Sequence, residues 1–361
     1  MNESTAGDGH VQTVLGPVPA ESLGITLAHE HVFIDATCNW HLPKEPSRRS
    51  LAEGKVTMDR LGALRRNPAA SRDNCLLTDL STAVEEVADF HQLGGTTLID
   101  VTNEDIGRDA EGLQRVSRAT GVNIVAGCGH YVHYAHPPTL DDEPVESIAD
   151  RLVAEISDGI GATGVKAGII GEIGTSDPLH PREEKVLHAA AQAQRETGVA
   201  ISLHVPNGNG HHVLDTLEAA GADLARVVVG HQDALLARPG MGADELQDYF
   251  RSLAERGCCL AFDTCGKEYC FPDLQGYGAT FWFPSDRDRA IALRTLVDGG
   301  LTDKLLLSQD VCSKIDLLRY GGFGYGHILR SFSRDLLEVG VAREDVARIL
   351  VDNPRRLLAR S

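Results

Sequence analysis

The chain has 361 residues, 42% hydrophobic and 24% charged, enough for a large core without disulfides or other staples. Its net charge of −18 argues against a nucleic-acid backbone as partner, which needs a basic face, and offers nothing to an anionic membrane surface. No apolar run approaches the roughly 20 residues of a membrane span. MNESTAGDG lacks the basic and apolar regions of a secretory leader, and eight cysteines without a CxxC pair read as reduced thiols, so a soluble, cytoplasmic protein is expected.

Residues 1–10 are small and polar and are expected to be disordered, with residues 11–361 forming one domain. VQTVLG reads as a short lead-in strand, followed by the turn GPVPAESLG. From there a unit recurs: a short apolar run, a turn, then an amphipathic helix. The runs cover 25–35, 94–102, 122–131, 164–174, 200–206, 226–233, 258–264 and 304–310. Continuous apolar runs suit parallel strands covered on both faces. The helices are well punctuated. Pro181 opens one that stops at Gly198, Ser285 is the expected N-cap of another, and ADELQDYFRSLAERG ends on Gly257. Eight strands alternating with helices predict the α/β class and a (β/α)8 TIM barrel. A doubly wound sheet is the alternative, but no glycine fingerprint follows the first strand. Residues 38–80 read as a long first βα loop at the barrel mouth, with a short helix at KVTMDRLGALRR. The tail AREDVARILVDNPRRLLA reads as closing helices.

Ligand-type residues fall at the ends of these runs. His29 and His31 stand two apart in the first run and leave on one face, which in a closed barrel points inward. Glu172 ends the fourth run, His204 the fifth, His231 the sixth and Asp310 the eighth. The C-terminal ends of barrel strands converge on the mouth, where active sites form. Four imidazoles and two carboxylates there suit two divalent cations, Zn2+ first, with Mn2+, Co2+ or Fe2+ as alternatives. Two ions ~3.5–4 Å apart share a hydroxide, lower its pKa toward neutrality and polarise an ester, lactone, amide or phosphoester oxygen. Glu172 is the expected bridge. Asp310 is expected to take the proton of the bridging water and pass it to the leaving group. Any one histidine alone reads as a satisfied core residue; a set spread over five strands does not.

Lys166 is a rival bridge of the same parity as Glu172. Six residues at about 3.3 Å each place it about 20 Å lower in the barrel. His130, His133 and His136 crowd the loop GHYVHYAHP, where hydrogen bonding in a solvated loop is favoured over substrate binding. Lys267, in FDTCGKEY, reads either as a contact for a carboxylate, sulfonate or phosphate or as a solvated surface lysine. Gly321, Gly322, Gly324 and Gly326 suggest a mobile loop at the mouth without a GxxxxGK[ST] cradle. Asp100 and Asp263 end strands and are expected to cap helices. Cys258 and Cys259 start the seventh run and read as buried thiols, and no GxSxG elbow is present.

LAHEH, GIIGEIG, the LH and GHQD strand ends and SQD resemble the phosphotriesterase family of the amidohydrolase superfamily over residues 11–358. The pattern is similar to its phosphotriesterase-related branch, which shares TVLGPVP, GEIGTS and RYGGFGYGHI. The resemblance implies a (β/α)8 barrel with a pair of Zn2+ ions. His29, His31 and Asp310 would hold the more buried ion, and His204 and His231 the other. It implies a glutamate bridge, Glu172, where phosphotriesterases and lactonases carry a carboxylated lysine. Tyr131 matches a lactonase-branch tyrosine that reaches the metal-bound oxygen; an aromatic lid contact is the other reading. A homodimer is also implied. The expected function is a dinuclear zinc hydrolase whose bridging hydroxide cleaves a carboxylic amide, ester or lactone of a small molecule. The alternatives are a phosphotriesterase and a non-catalytic, metal-containing small-molecule binding barrel. No membrane or nucleic-acid partner is expected.

Overall fold

The structure is a computed structural model describing residues 9–271 and 281–360. Residues 1–8 of the expected disordered segment and residues 272–280 of the loop after the seventh run lie outside the described residues. Gly9 is buried, and His10 opens an antiparallel hairpin in which His10–Thr13 pairs with Gly16–Pro19.

All eight apolar runs are strands, each shorter than its run: β1 Thr26–Glu30, β2 Thr97–Asp100, β3 Asn123–Cys128, β4 Ile169–Gly174, β5 Ile201–His204, β6 Val227–Gly230, β7 Cys259–Phe262 and β8 Leu305–Leu307. They lie parallel, in sequence order, in one sheet. The circle closes where the Asp310 N–H donates to His29 O (3.2 Å) and the His29 N–H to Ser308 Oγ (2.9 Å). This is a (β/α)8 barrel, and the sequence-order pairing rules out the doubly wound alternative.

Helices follow the strands: α1 Leu80–Gln92, α2 Ala110–Thr120, α3 Val145–Ser157, α4 Pro181–Thr197, α5 Gly210–Ala219, α6 Ala243–Glu255, α7 Asp286–Asp298 and α8 Ser333–Glu338. Ser285 caps α7 in a reciprocal pair with Asp288, and α4 ends on Gly198 at φ 69°. No helix among the described residues is long and apolar enough to cross a membrane.

Two apolar layers share the strands. Outward side chains such as Leu98, Ile124, Leu203, Val229 and Leu260 meet the helices. Inward ones, including Ala28, Ile99, Val125, Ile169, Val228, Ala261 and Leu306, fill the barrel floor, plugged by Val11 and Leu23 from the start of the chain and Leu357 and Leu358 from its end. Burying a Leu, Ile or Val side chain contributes about 1.5–3 kcal/mol, so the floor is the rigid base for the mouth.

The long first βα loop is present and more structured than expected. It holds a two-residue antiparallel pair, Ile34–Asp35 with Leu76–Leu77, and a helix at Pro46–Glu53 that sequence reading missed. The helix expected at KVTMDRLGALRR shortens to Leu61–Leu64 behind a tight turn. The glycine-rich segment after β8 is packed rather than free: Gln309 Nε2 donates to Gly324 O and Tyr325 O, and Tyr325 OH to His31 O (2.8 Å).

Candidate metal centre

The six expected ligands meet at the C-terminal end of the barrel, each 8% exposed or less. The two oxygens of Glu172 are divided among them. Oε1 lies 3.4 Å from His31 Nε2; Oε2 lies 3.0 Å from His204 Nδ1 and 3.4 Å from both His29 Nε2 and His231 Nε2. Asp310 Oδ1 is 3.2 Å from His31 Nε2 and 3.9 Å from His29 Nε2. His231 Nε2 and His204 Nδ1 stand 2.8 Å apart.

Strict alternation does not produce this arrangement. Counted from the floor residues Ala28, Ile169 and Val228, it would turn His29, His31, Glu172 and His231 outward. Each of these sites has a local correction. The β1–β2 register shifts between Leu27 and Glu30, and the β4–β5 register between Ile170 and Ile173. His231 takes the left-handed conformation, φ 57°. Asp310, at φ 51°, is the other non-glycine residue with positive φ among the described residues. Such conformations cost on the order of 1–3 kcal/mol and persist where the surroundings fix them. Here they are fixed. Asp263 accepts from the His231 N–H and Nδ1 (both 2.9 Å), and Glu30 accepts from the N–H groups on either side of Asp310, Gln309 (2.7 Å) and Val311 (2.9 Å). Gly171 is needed beside Glu172, because a Cβ there would lie 2.2 Å from Ser202 O.

Burial lowers the His204 imidazole, whereas at Glu172, His31 and Asp310 the partners outweigh burial. The charges of His29 and His204 hold the Glu172 carboxyl well below the usual range. Burial pushes His31 down, but Asp310 and Glu172 outweigh it and raise it to about 10. Asp310 is held low against its burial by Lys267 and His31. Glu30 rises to about 7 because burial outweighs the donors it accepts from.

A metal pair fits these residues. Tetrahedral ligands 2.0–2.2 Å from Zn2+ stand about 3.4 Å from one another, close to the spacings of this cluster. His29 is buried, and neither of its ring nitrogens has a hydrogen-bond partner. His29, His31 and Asp310 form one group of mutually close donors, and Glu172, His204 and His231 another. Two adjoining cavities of about 50 and 80 Å³ open on them, sharing Asn39, Tyr131, His204, His231, Asp310 and Cys312. Larger cavities of about 250 and 420 Å³ contain none of the six ligands.

The profile of the phosphotriesterase family matches residues 9–358. The chain belongs to the phosphotriesterase family. An N-acetyltaurine hydrolase from Xenopus tropicalis is 35% identical over 97% of this chain and 98% of its own. A resiniferatoxin-binding protein from Rhodobacter sphaeroides superposes with a TM-score of 0.91 at 38% identity, covering 97% of this chain and 95% of that one. A phosphotriesterase-like lactonase variant from Deinococcus radiodurans gives a TM-score of 0.72 at 30% identity, covering 96% and 99%. Membership, with relatives named as hydrolases, makes this chain a metal-dependent hydrolase.

Around the ligands, several expectations change. Asp263 and Asp100 cap no helix. Asp263 orients His231 and lies 3.4 Å from His29 Nδ1, while Asp100 accepts from the Val32 N–H (2.7 Å). Metal-binding histidines commonly donate their second nitrogen to such a carboxylate. Lys267 is no surface lysine. It is 2% exposed, with Nζ 2.5 Å from Asp310 Oδ2. Its loop is held by Arg289, which is fully buried and donates to Lys267 O, Thr264 Oγ1 and Asp233. Tyr131 lines both cavities, its ring 5.0 Å from that of His204. His130, His133 and His136 take the hydrogen-bonding role, with Asp105, Glu183 and Tyr131 O, though His130 and His136 are buried rather than solvated. Lys166 precedes β4 and lines neither cavity. Cys258 and Cys259 are buried, as expected.

Sequence reading missed Glu30 and the Asp233–Arg289 pair and misassigned Asp263. A signal existed for Asp263: β6 and β7 pair with Val229 opposite Leu260, so His231 and Asp263 both lie just past their strand ends.

Proposed function

We propose that the chain is a dinuclear hydrolase, with Zn2+ as the ion, that cleaves a carboxylic amide, ester or lactone of a small molecule. The observation that carries this reading is that the Glu172 carboxylate lies between the two groups of donors, with His31 beside Oε1 and His29, His204 and His231 beside Oε2. Glu172 would bridge the ions, with His29, His31 and Asp310 on one and His204 and His231 on the other. Two such ions supply Lewis acidity and lower the pKa of bound water toward neutrality. The carbonyl compound enters through the cavity that Tyr131 and Lys267 line, with Tyr131 as a substrate contact. Asp310 takes the proton of the attacking water and passes it to the leaving nitrogen or oxygen. Asp263 keeps the His231 ring oriented throughout.

Elemental analysis with initial rates on lactones, N-acyl compounds and an aryl phosphotriester tests the reading. About two metal equivalents per chain and turnover of one carbonyl class are expected; absence of both metal and turnover would sink it. The Rhodobacter sphaeroides relative is named for binding resiniferatoxin, so ligand binding is measured beside turnover. Asp310→Asn separates the two. A hydrolase loses most turnover with its fold intact, whereas a binder keeps its ligand affinity.

A further inference from the structure

We propose that Lys267 serves Asp310 rather than the substrate, and that the cavity beside the metal centre accepts an uncharged, apolar group, so that the substrates are neutral N-acyl amides, esters or lactones. This rests on the hydrolase reading and narrows it. N-acetyltaurine, which names several relatives, carries a sulfonate, and a site for it needs a cation to spare.

Among the described residues, Lys267 is the one Lys or Arg lining the 80 Å³ cavity. Its Nζ is committed to Asp310 Oδ2 (2.5 Å) and sits 3.1 Å from Cys312 Sγ. A short, buried, charge-assisted bond of this kind is among the stronger ones a protein makes. Two of the three ammonium donors are thereby directed at Asp310 and Cys312, and the Asp310 carboxylate beside the ammonium compensates its charge, so a substrate anion would meet a neutralised pair rather than a cation. The backbone cannot swing to serve both, because Arg289 Nη2 donates to Lys267 O and to Thr264 Oγ1 (both 2.9 Å) while its other nitrogens pair with Asp233 and Asp286. Away from the metal-centre side chains, Tyr134, Pro206, Ala234, Phe281 and Phe283 line this cavity, the makings of an apolar subsite. Lys267 is therefore a positioning residue. It pins Oδ2 so that Oδ1 faces His31 and His29.

The metal-loaded enzyme is assayed, kcat and KM separately, with N-acetyltaurine and with the methyl sulfone that replaces its sulfonate by an uncharged group. Calorimetry measures binding of the same pair. A preference of about tenfold or more for the neutral compound in kcat/KM and in binding is expected. Lys267→Met should lower kcat on both compounds by about 10–100-fold without changing their ratio, and Lys267→Arg should recover part of the loss. Equal handling of the two compounds, a preference for N-acetyltaurine, or a KM rise in Lys267→Met confined to the sulfonate overturns the inference. If neither compound turns over, the hydrolase reading suffers, and the binding preference still decides this one. If Lys267→Met fails to fold by thermal melting, the ratio in Lys267→Arg replaces it.

Discussion

At the floor of the barrel, Val125, Ile169, Val228 and Leu306 fill the interior with apolar side chains, each 2% exposed or less. At the mouth of the same barrel, four imidazoles and two carboxylates crowd within a few ångströms, both non-glycine residues of positive φ among those described belong to that cluster, and the buried nitrogens of His29 lack hydrogen bonds. The floor follows from burial and alternation alone. The mouth departs from alternation at His29, His31, Glu172 and His231, and each departure is held by a specific partner or register shift. Stability and chemistry are thus separated along the barrel axis, and mutations at the two ends should separate the same way.

The largest effect is expected at the bridge. Glu172→Gln leaves one oxygen and an amide where two carboxylate oxygens are shared, so activity should fall by more than the roughly 10–100-fold typical of outer-sphere changes. Metal stoichiometry by elemental analysis should fall with it. Retention of two ions and of rate would break the contrast between the two ends. At the floor, Leu306→Ala should cost about 2–5 kcal/mol of stability, read by denaturant unfolding, with kcat per folded molecule unchanged. Asp263→Asn lies between them. The His231 ring loses its charged acceptor, and metal affinity measured by titration of the metal-free protein should weaken by about 10–100-fold. An unchanged affinity would show that the ring is oriented by its backbone alone.

These variants also mark how far the sequence could be read. That six metal-binding side-chain types at run ends would meet at the mouth was legible because residue type and position along a strand suffice to find them. The barrel was legible because eight apolar runs alternate with well-capped helices such as Pro181–Thr197. Side-chain direction was not. A register shift at Leu27/Glu30 or a left-handed residue at His231 leaves no periodic trace, so that His29 and His31 share a face was readable while the step re-aiming them was not. Asp263 looked like a helix cap because its partner, His231, sits 32 positions away in sequence. Lys267 was ambiguous for the same reason, since burial beside Asp310 is a property of two loops brought together. The helix Pro46–Glu53 escaped notice because its one buried residue, Ala52, gives it no apolar stripe.

The smallest predicted effect tests how the long first loop is tied to the barrel. Asp73 accepts from Lys55 Nζ (2.7 Å), Lys314 Nζ (2.9 Å) and the Val56 N–H (2.9 Å), joining this loop to the segment after β8. Burial opposes its charge, but the two ammonium groups and the N–H outweigh it and lower its pKa to about 2 from 3.8. A carboxyl depressed in the folded state contributes stability that is fully present above its unfolded pKa and disappears as pH falls through the folded one. Wild type should therefore exceed Asp73→Asn by about 1 kcal/mol at neutral pH, the figure kept small because solvent screens the exposed Lys55. The gap should close between pH 3.8 and about 2, with urea unfolding as the measurement. Asparagine can still accept from Val56, so a gap that stayed constant with pH would assign the tie to packing around that bond rather than to the charge.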